Sequence, residues 1–328
     1  MTMRHQGFTR RVLLGACAAL AVGGTGTATR AQDGKPLRLI LPTSAGSGVD
    51  AIARAAQAAL ARALDQPVLV ENLPGAGGLT GTAVVARAAP DGLTLGLVSN
   101  NHVINPAVYR KMPFDALADF TPISVIGATP LVLVVGRAVP ASNLAELIAL
   151  AKSRPDDFYY ASSGNGTIIH LAGEMFVEQA GLRVQHVPYK GTGAMVNALL
   201  GGQVQMGVVA LPAIAPHLHS GGVRAIGLCG AQRSPAAPEI ATLAEQGLAG
   251  YEVEGWFAVV GPARLPAAEV RRLHEAFVQG FASPEVAEAM ASQGNVIRPT
   301  SPEQAARFFR SEAARYAALA RKAKVVLD

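Results

Sequence analysis

The chain has 328 residues, half of them hydrophobic and 16% charged, with a formal net charge of +5. Such a composition excludes a disordered or coiled-coil chain, and the length suits two lobes of ordinary domain size better than one core. The first 31 residues hold four arginines and no acid, which leaves the rest of the chain at +1 and gives no reason to expect nucleic acid or anionic lipid as a partner.

Arg4, Arg10 and Arg11 precede the apolar run Val12 to Val22, and small residues follow as far as Thr29-Arg30-Ala31. The pattern predicts an export signal over residues 1–31 and a periplasmic mature protein. The run is about a dozen residues where a membrane-spanning helix needs roughly twenty, and no later stretch supplies one. Thr9-Arg10-Arg11-Val12-Leu13-Leu14 resembles a twin-arginine signal, which leaves that route and ordinary secretion both open. Leu14-Gly15-Ala16-Cys17 resembles a lipoprotein box, but Arg11 lies too near to leave a hydrophobic region before it. With Cys17 removed, Cys229 stands alone and no intramolecular disulfide can form.

Beyond the leader, short apolar runs read as strands at Leu37–Leu41, Val68–Glu71, Leu93–Ser99, Leu131–Val135, Tyr159–Ser162, Val184–Tyr189 and Ala225–Cys229. Between them, Ile52, Ala56, Ala59, Leu60 and Ala63 keep helical spacing, as do Leu144, Leu147, Ile148 and Ala151. Strands alternating with helices imply an α/β fold with parallel sheets covered on both faces. Two helices close the chain. One carries Val270, Leu273, Phe277, Val278 and Phe281 on a face; the other carries Ala305, Phe308, Phe309, Tyr316 and Leu319 after a capping box at Ser301, Pro302 and Gln304. Both stripes read as core. Thr121–Pro130 and Ala231–Pro238 read as linkers, so that residues 35–128 and 232–328 form a discontinuous first lobe and 129–231 the second.

Four loops could carry chemistry. Thr43, Ser44, Ala45, Gly46, Ser47, Gly48 and Asp50 follow the first strand and open the first helix, where glycines admit a ligand and free N–H groups favour an anion. Ser99, Asn100, Asn101 and His102 follow another strand; Ser163, Gly164, Asn165, Gly166 and Thr167 precede His170; and Tyr189, Gly191 and Thr192 flank Lys190. In open α/β sheets such turns converge outside the carboxyl ends of the strands. The run Glu71 to Gly81 contains Gly-x-Gly-x-x-x-Gly, but Pro74 removes the tight turn of a dinucleotide fingerprint, and no nucleotide, metal or other cofactor is expected. The histidines are scattered, and Asp50 takes the role of a loop or helix-cap residue.

Ordered motifs along the chain resemble one family: Pro36 to Ile40 with Pro42, Gly46, Gly48 and Asp50; Gln66 to Gly78; Ala89-Pro90-Asp91-Gly92; Ile104-Asn105-Pro106; Gly164 to Gly166 with His170 to Glu174; His186 to Gly191; Leu199 to Val204; Arg233-Ser234-Pro235; and Trp256-Phe257. They are similar to the substrate-binding receptors of tripartite tricarboxylate transporters, the Bug or TctC-like family. The resemblance implies a two-lobed periplasmic binding fold, type II-like, with a small carboxylate in the interlobe cleft and delivery to a membrane permease by a monomeric, non-enzymatic receptor. It puts ligand contacts on Ser44 to Asp50, Ser163 to His170 and Tyr189 to Gly193. Departures stand at Thr43, where the family usually has a phenylalanine, and at Gln205 and Val209, where acids are common. A periplasmic hydrolase using Asp50 or His170 as base, and a ligand-binding partner of a membrane sensor, are the competing expectations; the first needs a paired acid or nucleophile that the sequence does not offer.

Overall fold

The structure is a computed structural model and describes residues 34–322. The export signal and the Cys17 box lie outside these residues. In chain order the first sheet takes β1 (Leu37–Leu41), β2 (Val68–Asn72), β3 (Thr94–Ser99) and β4 (Phe120–Thr129), with α1 (Gly48–Leu64), α2 (Leu79–Ala86) and α3 (Asn101–Val108) between them. The chain then builds a second sheet from β5 (Leu131–Gly136), β6 (Tyr159–Ser162), β7 (Gln185–Pro188), β8 (Met206–Ala210) and β9 (Val223–Leu228), connected by α4 (Leu144–Ser153), α5 (Ile168–Gln179), α6 (Thr192–Leu200) and α7 (Leu211–His219). It returns to the first sheet with β10 (Gly255–Pro262), α8 (Ala267–Ala282), α9 (Pro284–Ser292), β11 (Val296–Ile297) and α10 (Pro302–Lys322).

The strand orders are β11-β4-β10-β3-β1-β2 and β7-β6-β8-β5-β9, giving a two-lobed α/β protein. Neither sheet is purely parallel. The β1–β2 and β1–β3 pairs are parallel, while β10 runs antiparallel to both β3 and β4, and β5 antiparallel to β8 and β9. The expected linker Thr121–Pro130 is therefore mostly a strand. Its proline sits where the ladder tolerates one, since Pro122 lies at a register shift against β10 and β11 covers only Gly127 and Ala128 on the other edge.

The chain passes between the sheets at Pro130 and again between Leu228 and Gly255, and the passages are tied together. Cys229 N–H donates to Leu131 O and Val253 N–H to Cys229 O, each at 2.8 Å. The aromatic stripes of the last helices are core, with Phe277, Phe281, Phe309 and Tyr316 all buried. Ser301 and Gln304 cap α10 reciprocally: Gln304 N–H donates to Ser301 Oγ at 3.2 Å and Ser301 N–H to Gln304 Oε1 at 2.9 Å. No helix among the described residues is long and apolar enough to cross a membrane.

Candidate functional site

Between the lobes lies a cavity of about 530 Å³, inside the range of roughly 300–1,000 Å³ common for small-molecule sites. The first lobe lines it with Pro42, Thr43 and Ser44 after β1, with Pro74 to Gly78, and with Asn101 and Tyr109 of the α3 region. The second lobe contributes Ser163, Gly164, Asn165 and Thr167 after β6, and Tyr189 to Thr192 after β7. Among these lining residues Lys190 is the cation and none is an acid.

The lobes meet across this cavity through hydrogen bonds at two helix ends. Thr192 N–H, the first of α6, donates to Ser44 Oγ at 3.2 Å. Ile168 N–H, the first of α5, donates to Asn101 Oδ1 at 2.8 Å. Both helices thus aim their positive ends at oxygen acceptors supplied by the opposite wall. Close approach is built in at two glycines. A Cβ on Gly191, whose φ is +100°, would stand 2.6 Å from Ser44 Oγ, and one on Gly48 would stand 2.9 Å from the Ala210 methyl at the end of β8.

Of the residues singled out in the sequence, Thr43, Ser44, Ser163, Gly164, Asn165, Thr167, Tyr189, Gly191 and Thr192 come together around the cavity. Ala45, Gly46, Ser47, Gly48, Asp50, Ser99, Asn100, Gly166 and His170 do not line it. Ser47 caps α1, its hydroxyl accepting from Asp50 N–H at 3.2 Å, so Asp50 is not the cap. The Asp50 carboxylate instead accepts from Gly46 N–H at 3.0 Å, Arg54 Nε at 2.9 Å and Asn72 Nδ2 at 3.0 Å. Burial opposes its ionisation, but these hydrogen bonds and the Arg54 charge prevail and hold the carboxyl below its ordinary range. Asn100 is fully buried and structural: it accepts from Trp256 N–H and donates to Tyr316 Oη and Glu254 O. His170 lies beneath the loop rather than in the cavity and accepts from Gly166 N–H at 3.0 Å. Gln205 and Val209 serve the second sheet, Gln205 Oε1 accepting from Tyr159 N–H and Val209 lying buried in β8.

Several cavity residues were not legible as such in the sequence. Gly75, Ala76, Gly77 and Gly78 all take positive φ, which brings the backbone of this turn against the cleft. Three glycines in four positions were the available signal, set aside with the nucleotide reading. Tyr109 carried no signal beyond its type, whereas Asn101 belongs to the Ser99–His102 turn that the sequence singles out. The Tyr109 hydroxyl is placed over Gly77, where a Cβ would come within 3.1 Å of it, and burial pushes its pKa up.

The match to known proteins follows the same geometry. The model of the tripartite tricarboxylate transporter family receptor matches residues 52–325. The chain belongs to that family. BugT of Bordetella pertussis is 34% identical over 290 residues, covering 88% of this chain and 89% of its own. Among solved structures, the periplasmic binding protein BugD superposes with a TM-score of 0.85 at 31% identity, covering 89% of this chain and 98% of its own. An R. palustris protein with adipate superposes with a TM-score of 0.86 at 31% identity, with the same coverages. The family receptor is therefore a solute-binding protein of the periplasmic type.

Proposed function

We propose that this receptor captures a small carboxylate, a mono-, di- or tricarboxylate or an amino acid, in the interlobe cavity and delivers it to a membrane permease of the tripartite tricarboxylate type, without chemistry on the ligand. The observation that carries this reading is the convergence of the α5 and α6 N-termini and Lys190 on a cavity whose described lining holds no acid. An anion placed there meets backbone N–H groups, helix dipoles and one mobile ammonium, and displaces no fixed countercharge. The adipate in the R. palustris relative supports the carboxylate class. Thr43 stands on the cavity wall with its hydroxyl accepting from Ser47 Oγ at 3.0 Å, which makes this part of the wall polar and short.

Calorimetry with adipate, shorter and hydroxylated dicarboxylates, a tricarboxylate and the matching amides tests the reading. The acids should bind and the neutral amides should not; equal binding of amides would remove the anion site. In the same samples, small-angle scattering should show the particle compacting about the Pro130 and Leu228–Gly255 passages as ligand saturates.

A further inference from the structure

The second lobe's wall is held from beneath by two stacked histidines that do not line the cavity. Gly166 N–H donates to His170 Nδ1 at 3.0 Å. A backbone N–H can only donate, so Nδ1 carries no proton and the ring proton belongs to Nε2, 3.5 Å from Glu174 Oε1. The His170 ring stacks on His186 with centroids 4.1 Å apart and planes 16° apart. His186 Nε2 lies 2.7 Å from Ser162 Oγ, and that hydroxyl accepts from Gly164 N–H at 3.2 Å. The backbone on both sides of Asn165 is thus fixed through an imidazole. Gly164 and Gly166 take φ of +136° and +73°; Thr167 Oγ1 closes the turn on Gly164 O at 2.8 Å and Gly191 N–H ties Ser163 O at 3.1 Å, while the Gly166 N–H has His170 as its partner.

We propose that His170 is the positioning residue of this wall: its unprotonated Nδ1 holds the Ser163–Thr167 loop in its ligand-meeting shape, and protonation of the histidine pair releases the loop and weakens carboxylate binding. The inference rests on the cavity being the ligand site. The groups facing the pair are Glu174 on the same helix and Tyr160 of β6, whose hydroxyl donates to Glu174 and whose ring stacks on His186 at 4.8 Å. A proton added to His170 would sit on Nδ1, where it would face the Gly166 N–H donor to donor, and two charged rings at 4.1 Å would repel. The neutral form of His186 is favoured as well, since burial and the neighbouring His170 press its pKa down to about 4 against the pull of Glu174.

Two substitutions separate positioning from mere support. His170→Phe keeps the buried stack and removes the acceptor, whereas His170→Asn keeps an acceptor at the Nδ1 position and cannot be protonated. With adipate as probe, His170→Phe should bind about tenfold more weakly, the size of one lost buried hydrogen bond. His170→Asn should retain most of the affinity and show a flatter fall with acid than wild type. Ring-nitrogen and amide NMR of the ligand-free protein should show a bare Nδ1, with the Gly166 amide protected in wild type and His170→Asn and exchanging freely in His170→Phe. Full adipate affinity in His170→Phe, or a protonated Nδ1 in wild type near neutrality, overturns the proposal. If adipate fails to bind wild type, the ligand reading is what has failed, and the NMR comparison alone decides the positioning role.

Discussion

The two walls of the cleft hold their loops by opposite electrostatic means. On the first lobe, the loop after β1 is anchored by an ionised carboxylate: Asp50 takes Gly46 N–H and is itself bound by Arg54 and Asn72. On the second lobe, the loop after β6 hangs on neutral imidazoles, His170 at Gly166 and His186 through Ser162. A site proposed for an anion tolerates a negative anchor only when that charge is already committed, as Asp50 is to Arg54. A neutral anchor needs no such compensation, but depends on pH in the range where histidine titrates.

Breaking the charged anchor should have the largest effect. Asp50→Ala removes the acceptor of Gly46 N–H and leaves the Arg54 guanidinium with Asn72 Oδ1 but no carboxylate, and hydrogen bonds to charged groups contribute roughly 1.5–3 kcal/mol each. We expect a loss of about 3 kcal/mol in urea unfolding, more than removal of a simple helix cap, because the cap itself is Ser47 and stays. A change below about 1 kcal/mol would mean that the network is solvated in solution.

The neutral anchor should reveal itself on acidification. His186 has a folded-state pKa of about 4 against an ordinary 6.5, so the unfolded chain takes up the proton first as pH falls. Stability is full above about 6.5, declines between 6.5 and 4, and stops declining on this account below 4; because the ring is partly exposed and solvent screens it, about 1–2 kcal/mol is at stake. Urea unfolding of wild type and His186→Phe across this range should show a shallower decline in the variant. Some slope must persist, because burial also lowers His102 to about 4. An unchanged slope would place the His186 side chain in water.

These contrasts also show where the sequence could be read. The Ser/Gly turns after β1, β6 and β7 were visible because turns of this kind, each ordinary alone, recur after several strands, and the cavity gathers all three. Of their anchors, Asp50 was visible as a loop residue, because a carboxylate beside an anion is better committed to nearby N–H groups, as it is to Gly46 N–H. The bond between Gly166 and His170 depends on a rotamer inside a turn, and His170 and Asn100 differ from contact residues only in where their side chains point. In the fold, seven strands followed from local runs. β4 was missed because Pro122, Gly127 and Pro130 break its pattern, and β10 because an eight-residue run from the far end of the chain inserts between β3 and β4, a pairing that no local pattern encodes.

A smaller effect should come from the contacts that join the walls. Ser44 Oγ and Asn101 Oδ1 each accept one helix-end N–H across the cleft. If they favour the closed form, Ser44→Ala and Asn101→Ala should each weaken carboxylate binding about fivefold, one ordinary hydrogen bond apiece, by lowering the closed population. Scattering of the ligand-free variants should show a larger radius than wild type. Tighter binding in either variant would mean instead that its oxygen competes with the ligand for the N–H group.

The smallest effect expected tests whether burial, rather than charge itself, makes the Asp50 network strong. Arg38 on β1 and Glu71 on β2 form a two-pronged pair, Nε to Oε1 at 2.7 Å and Nη2 to Oε2 at 2.8 Å, which is better geometry than Asp50 has with Arg54. Its side chains are 43% and 33% exposed, whereas in the other pair Arg54 is 51% exposed but Asp50 only 7%, so the contrast lies in the carboxylates. Water therefore screens the Arg38–Glu71 pair and solvates either partner when the other is removed, so exposed pairs usually couple by roughly 0.2–1 kcal/mol. A double-mutant cycle with Arg38→Met and Glu71→Gln should give a coupling below about 1 kcal/mol, shrinking in high salt. The corresponding cycle with Arg54→Met and Asp50→Asn should exceed it and change less with salt. If the exposed pair couples as strongly as the one with the buried carboxylate, geometry rather than desolvation sets these strengths, and the first lobe's anchor owes nothing special to the burial of Asp50.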